Sequence, residues 1–398
     1  MAAMQIPVTH VGSLVRPEAL LALLRAKRDG ETVSPVAMAA CLDTEVRAVV
    51  ARQAAVGVDV VSDGEFGKDL SWSQYVMERM GGFEFRPRSV ASAAKAIGGK
   101  DRRDFAEFYE EYEGAFGVAG IGKGAMPQGD WVVTGPITYT GHDAVSGDIA
   151  RLRAALDATA TAGSPVAGGF LPVVSPTSVV PARLDEHYAS PEEALFAIAE
   201  ALRAEYRAIV DAGLILQVDD AYLASTYDVM VPPGSLADFR RWAEVRVEAI
   251  NIALDGLAED RVRYHVCWGS WNGPHTNDVP LRDIVDLVLR VRAGGYLLEM
   301  ANPRHAHEWK VFEDVALPDG KVLMPGLVSH STNVVEHPEL VAERLVRLAG
   351  LVGADRLVAS TDCGFAQGPF ARRVHPSIQW AKLASLAEGA RLASAALG

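Results

Sequence analysis

The side chains best suited to chemistry lie in the last third of this sequence. They are His265 and Cys267 in Tyr264-His265-Val266-Cys267-Trp268, Glu299 in Leu297-Leu298-Glu299-Met300, and Cys363 in Thr361-Asp362-Cys363-Gly364. Residues two apart on a strand point to the same face, so His265 and Cys267 can reach one ion together. An imidazole, two thiolates and a carboxylate suit zinc in a tetrahedral site, at metal–ligand distances of about 2.0–2.3 Å. The competing reading makes Cys267 and Cys363 small core hydrophobes, the common fate of a free cysteine. A His-x-Cys spacing alone leaves both readings open.

The elements that must position these residues are legible as an alternation. Short β-rich runs fall at 58–62, 131–134, 170–175, 214–219, 262–267, 296–300, 322–328 and 357–361, with a further apolar stretch at 6–11. Helical patterns such as 191–211, 236–257, 281–292 and 338–351 lie between them. Strand–helix alternation over this length predicts parallel βαβ units. The fold class expected is α/β, a single (β/α)8 TIM barrel over 1–398 with an insertion around 89–129. Nine strand-like runs compete for eight places, so one is miscalled or lies outside the barrel. A doubly wound open sheet would be favoured by a glycine-rich phosphate loop after the first strand, and none is found. Barrel active sites form at the C-terminal ends of the strands, where His265, Cys267, Glu299 and Cys363 fall. The 89–129 segment holds a basic patch, an acidic aromatic stretch and a glycine-rich piece, and reads as an insertion, with a lid as one option.

The 398 residues are 49% apolar and carry a net charge of −13. An acidic chain repels phosphate backbones and anionic lipid surfaces, which argues against nucleic acid and membrane partners. No apolar run approaches the roughly 18 residues of a spanning helix. The first residues lack a basic start and an apolar signal core, which points to the cytoplasm. Three cysteines, Cys41, Cys267 and Cys363, are too few and too odd for a disulfide framework. The sequence leaves room for a homo-oligomer.

Further segments fall in order along the chain: His10-Val11-Gly12-Ser13, Asp63-Gly64-Glu65-Phe66, Val133-Thr134-Gly135-Pro136-Ile137-Thr138, Gln217-Val218-Asp219-Asp220-Ala221 and Val328-Ser329-His330-Ser331. Together with His-x-Cys, Glu299 and Asp-Cys-Gly, this set resembles the catalytic domain of the cobalamin-independent methionine synthase family, within the wider uroporphyrinogen decarboxylase/methionine synthase-like superfamily. That family moves a methyl group from a methyl-folate to homocysteine on a zinc ion.

The resemblance implies a zinc-dependent methyltransferase of methionine biosynthesis, with a small thiol substrate and a small alkyl donor as partners and with His265, Cys267, Glu299 and Cys363 as metal ligands. A free alkyl thiol has a pKa of about 8.5, and coordination to zinc strips its proton. Glu299, the harder donor, is the ligand expected to yield to the incoming thiol. Ser13 would hold the substrate carboxylate, Glu65 and Asp219 its ammonium, and His330 would act as general acid toward the leaving nitrogen. Taken singly, Gly12-Ser13 also reads as a turn, Glu65 as a loop charge, Asp219 as a helix cap and His330 as a satisfied strand-end histidine. Asp362 either steers a metal ligand or caps the next helix. Trp268 and Trp271 either stack on a flat substrate or pack, and His275 is placed to touch substrate. His305 and His307 read as a polar helix start.

The family's Gln-Ile-Asp-Glu-Pro is here Gln217-Val218-Asp219-Asp220-Ala221, without the proline. Its Trp-Val-Gln-Ser-Tyr-Gly segment, which bears on folate, is not found, and the chain has room only for the catalytic barrel. Two alternatives therefore stand beside the methyltransferase. One is a zinc-dependent alkyl transferase that opens an epoxide with coenzyme M or another thiol. Arg16, Lys68 or Arg304 lining the pocket would favour it. The other is a metal-free uroporphyrinogen decarboxylase-like or thiol-binding protein.

Overall fold

The computed structural model describes residues 4–69, 71–87, 99–116, 129–179, 184–370 and 372–398. Its centre is a seven-stranded parallel sheet in the order β1 (Val60–Ser62), β4 (Gly168–Val174), β6 (Ile215–Asp220), β7 (Val262–Val266), β8 (Gly295–Leu298), β9 (Val322–Val328) and β10 (Ser360–Thr361). Strands β7 and β8 are buried along their whole length. Helices cover one face and packed side chains the other, which is why the sequence there runs continuously apolar instead of alternating.

Residues 7–9 lie between the two edge strands and hydrogen-bond to both. Val60 N–H donates to the Val8 carbonyl at 3.1 Å, Thr9 N–H to Ala359 at 2.8 Å, and Ala359 N–H to Pro7 at 2.8 Å. The sheet is therefore curled, and the fold is a TIM-like α/β barrel. The apolar stretch at 6–11 takes part in this pairing, but only Val8 forms a ladder bridge, to Ala359.

The strand-like run at 131–134 is the one outside the barrel. It belongs to β3 (Gly129–Tyr139), which pairs antiparallel with β2 (Met80–Pro87) and parallel with β5 (Leu184–Asp185) in a separate three-stranded sheet. This ladder brackets the expected insertion, so the excursion starts earlier than residue 89. Within it, two helices, Lys100–Asp104 and Ala106–Phe116, are described. Residues 89–98 and 117–128, including part of the basic patch, lie outside the described residues.

The outer helices follow from local signals. Ser190 accepts the Glu193 N–H ahead of Pro191, and Ser235 with Asp238 forms a capping box, which fixes two helix starts. The helix Pro191–Asp211 buries Leu195, Ile198, Leu202, Tyr206 and Ile209. That three-to-four spacing is one apolar stripe, and each of these side chains contributes about 1.5–3 kcal/mol on burial. The expected helix at 281–292 is broken. A 3-10 turn at Leu281–Asp283 gives way to a short helix, Val285–Val288. Ile284 between them leaves helical geometry at φ −133°. Leu281, Ile284, Val285, Leu287, Val288 and Val291 are all buried, which two short offset turns achieve and one straight amphipathic rod does not. Among the described residues no helix is long and apolar enough to cross a membrane.

Candidate metal centre

Strand β7 delivers His265 beside Asp219 of β6 and Leu297 of β8. Cys267 follows directly, its N–H still paired with the Asp220 carbonyl at 3.0 Å. Cys363 arrives from the far edge of the sheet, just past β10, whose register against β9 shifts between Ser360 and Thr361. Such an irregularity re-aims the chain at a strand end. The two sulfurs lie 3.6 Å apart, and the ligand atoms of His265, Cys267 and Cys363 all fall within 4.8 Å of one another. Two thiolates on one tetrahedral zinc, each at about 2.3 Å, would be separated by about 3.7 Å.

The donor set fits a dication on a second ground. His265 is buried, yet neither ring nitrogen makes a well-formed hydrogen bond, apart from a loose approach to the Leu297 backbone. Buried polar atoms are rarely left this way without a ligand. The Cys267 thiol is pushed well above its ordinary pKa by the Cys363 sulfur, by burial, and by the charges of Cys363 and Glu299. Thiols and a carboxylate packed so closely repel as anions, and a bound metal inverts that logic. The Gly269 N–H donates to Cys267 Sγ at 3.3 Å, a contact that favours the thiolate.

Glu299 is buried nearby but is not part of the three-donor group. Its Oε1 accepts the Trp268 N–H at 3.0 Å and its Oε2 accepts the Asn302 side-chain amide at 2.8 Å. Burial, reinforced by the charge of Asp362, pushes its pKa up to about 7. Asp362, next to Cys363, holds the turn that carries Glu299. Its Oδ1 accepts the N–H groups of Met300 (2.9 Å) and Ala301 (2.8 Å), and its Oδ2 accepts the N–H (2.7 Å) and side-chain amide (3.1 Å) of Asn302. These bonds link the Cys363 strand end to the Glu299 turn.

Ser13 packs on the Cys363–Ala366 turn. Phe365 N–H donates to its carbonyl at 2.8 Å and Ala366 N–H to its Oγ at 3.4 Å. Glu65 and Asp219 lie close enough for their charges to interact. Asp219 is driven well above the usual carboxylate range by burial and then by the charge of Glu65. Glu65 sits at φ +60°, an uncommon conformation for a residue with a side chain. It already has a cationic neighbour, Lys68 Nζ at 3.1 Å, while Arg16 ties the Glu65 and Lys68 carbonyls together at 2.8 and 2.7 Å.

A cleft of about 370 Å3 opens at this end of the sheet, lined among others by Trp271, His275, Glu299, Asn302, Arg304, His305 and His330. His330 is buried with neither ring nitrogen hydrogen-bonded, and burial followed by the charge of Arg373 pushes its pKa down to about 3. Trp268 does not line the cleft. It is 1% exposed and its Nε1 donates to the Val279 carbonyl at 2.7 Å, so it packs. Trp271 does line the cleft, stacked on His275 with ring centroids 4.4 Å apart. The 305–307 stretch leads into the 3-10 turn Glu308–Lys310, with His307 exposed at its start, while His305 is buried and bonded to Asp278 at 2.9 Å. Asn302 and Asp278 were not singled out from the sequence. Each sits in a loop beyond a strand end, with partners that only the tertiary structure brings together.

Several known proteins resemble this chain. The 2-hydroxypropyl-CoM lyase of Xanthobacter autotrophicus is 27% identical over 239 residues, which span 54% of this chain and 58% of that protein. A methionine synthase of Saccharolobus solfataricus is 22% identical over 391 residues, 97% of this chain and 94% of the relative. Among solved structures, a B12-independent methionine synthase from Shewanella sp. W3-18-1 in complex with selenomethionine superposes with a TM-score of 0.71 at 19% identity, covering 99% of both chains; it supports the fold. The model of the family described as cobalamin-independent synthase, catalytic domain, matches residues 175–379. The chain belongs to that cobalamin-independent synthase family.

Proposed function

We propose that this chain is a zinc-dependent thiol methyltransferase, carrying a methyl group from a methyl-folate or another methyl donor to a thiol such as homocysteine. We take the whole chain as one (β/α)8 barrel, with residues 6–11 as its first strand. The observation that carries the reading is the convergence of His265, Cys267 and Cys363 within 4.8 Å, with neither His265 nitrogen in a well-formed hydrogen bond among the described residues.

These three residues, with Glu299 as the fourth and yielding ligand, would hold zinc, which supplies a thiol nucleophile without its proton at neutral pH. The chain's own residues do the rest. Ser13 receives the substrate carboxylate, and Glu65 with Asp219 receives its ammonium. The Asn302 amide and the Trp268 N–H, which hold the Glu299 carboxylate, would keep it in place once it yields to the thiol. His330 borders the cleft and contacts the leaving group of the donor. Burial of the three donors excludes water from competing with the thiol.

A second reading, alkyl transfer from an epoxide to an anionic thiol such as coenzyme M, is favoured by Lys68 on Glu65 and by Arg304 on the cleft wall. A panel decides between them. Homocysteine and coenzyme M are each offered to zinc-loaded protein with 5-methyltetrahydrofolate and with propylene oxide, and loss of free thiol is followed. Turnover of homocysteine with the folate supports methyl transfer. Turnover confined to the epoxide supports the second reading. A parent protein that binds no zinc and behaves like its Cys267→Ser and Cys363→Ser variants removes both, leaving a metal-free thiol-binding or decarboxylase-like barrel.

A further inference from the structure

The loop after β7 carries Pro274-His275-Thr276-Asn277-Asp278, and the loop after β8 carries Pro303-Arg304-His305. Asp278 joins the two. His275 Nδ1 lies 3.0 Å from Asp278 Oδ2, and His305 Nε2 lies 2.9 Å from the same oxygen. The other nitrogen of His275, Nε2, lies 3.0 Å from the Trp271 carbonyl oxygen. A carboxylate and a carbonyl are both acceptors only, so both ring nitrogens of His275 must be donors. The geometry therefore requires an imidazolium. His275 also holds an uncommon backbone conformation, φ +53°, and residues kept in such conformations cluster at functional sites. Its ring lines the same cleft as Glu299 and His330.

One N–H of this imidazolium is fixed on a buried carboxylate and the other rests on a neutral carbonyl, a weaker partner. That is the arrangement of an orienting acid and a working imidazole. Among the described residues His330 has no hydrogen-bond partner on either nitrogen, so none of them fixes a proton on it. We propose that His275 is the proton donor to the leaving group, exchanging its Trp271 carbonyl contact for the leaving atom, with Asp278 and His305 as positioning residues. The direction of the His275 pKa agrees: burial opposes the charge, but the hydrogen bond and charge of Asp278 and the Trp271 carbonyl outweigh it and raise the value. Glu299, lining the cleft, adds a further anionic charge on the same side of the balance.

The step balances. The sulfur–carbon bond forms as the carbon–nitrogen or carbon–oxygen bond of the donor breaks. The electron pair of the broken bond stays on the leaving nitrogen or oxygen, which takes the proton from His275 Nε2. The imidazole then regains a proton from solvent, matching the one the thiol released. This assignment rests on the thiol-alkylation reading above.

The test is a leaving-group comparison with the zinc-loaded full chain. His275→Asn keeps a residue that tolerates positive φ and removes the acid. Parent and variant are assayed with the donor the parent turns over, 5-methyltetrahydrofolate or propylene oxide, and with methyl iodide, whose iodide leaves without a proton. The expected result is a loss of about 100- to 10,000-fold with the first donor, the usual worth of a general acid. Methyl iodide turnover and zinc content should stay unchanged. Equal loss with both electrophiles, or no loss with either, overturns the assignment. So does nitrogen NMR of the parent at neutral pH that finds only one proton on the His275 ring. A parent that alkylates no thiol with any of these electrophiles overturns the functional reading and this role together, and is told apart because the failure then appears before any substitution.

Discussion

Replacing Asp362 by asparagine perturbs the coupling between the Cys363 strand end and the Glu299 turn at one point. The carboxylate receives four donors: two on Oδ1, from Met300 and Ala301, and two on Oδ2, both from Asn302. Asparagine can keep one oxygen facing one pair, and its NH2 then meets two donors and accepts neither. Hydrogen bonds to a charged group are worth about 1.5–3 kcal/mol each, so the gross loss is about 3–6 kcal/mol. Part is returned, because burial raises the Asp362 pKa despite its four bonds, and a neutral side chain escapes that penalty. The net destabilisation expected is about 2–4 kcal/mol, once the two lost bonds are set against the relieved burial cost. Urea unfolding of metal-free parent and Asp362→Asn protein, compared by midpoint at common slope, measures it. Zinc competition against a chelator should show affinity about 10–100-fold weaker, the usual cost of losing an outer partner of a metal site. A variant within about 0.5 kcal/mol of the parent, typical of an unimportant surface change, with unchanged zinc affinity, refutes the reasoning.

Other perturbations follow from the same geometry. Gly364→Ala would drive a Cβ into Ser13 Oγ and to 3.0 Å from Ser13 Cβ; a loss of about 1–3 kcal/mol is expected from such overpacking, read as a lower urea midpoint, together with weaker thiol binding by calorimetry. Arg79 bridges Glu205 at 2.7 Å and Asp148 at 2.6 Å, with Glu205 almost fully buried. Arg79→Met should cost about 3–5 kcal/mol, because it strands a buried carboxylate, and thermal unfolding measures this. For His305, burial opposes protonation, but Asp278 and Glu308 prevail and raise the pKa from 6.5 to about 10. A raised folded-state pKa contributes stability that is full below the unfolded value and fades as pH climbs through the folded one. The urea midpoint should therefore fall between about pH 6.5 and 10, and His305→Gln should flatten that slope; an unchanged slope contradicts the assignment.

Much of this was legible in the chain because parallel strands buried on both faces leave continuous apolar runs. The run at 322–328 became a strand with those limits, and the pattern at 191–211 a helix with those limits. The run at 131–134 read equally well as a barrel strand. Nothing local distinguishes a strand of the barrel from one in a side sheet, and only its antiparallel partner at Met80–Pro87 does so. The helix expected at 281–292 failed because apolar density there serves burial on several sides and not a single stripe. At the site, His265, Cys267 and Cys363 could be picked out by residue type and strand-end position. The hold on Glu299 could not, since Asn302 and the Trp268 N–H reach it only through the folded turn. The His275–Asp278–His305 cluster was equally hidden, because its members come from loops after two different strands.

The central claim is that His265, Cys267 and Cys363 hold one zinc ion, and X-ray absorption at the zinc edge tests it most directly. The account predicts one zinc per chain with two sulfur neighbours at about 2.3 Å and lighter atoms at about 2.0–2.1 Å. One sulfur should be lost in each of Cys267→Ser and Cys363→Ser, and one gained when the thiol substrate is added. Purified protein that takes up no zinc, or zinc without sulfur neighbours, would contradict it.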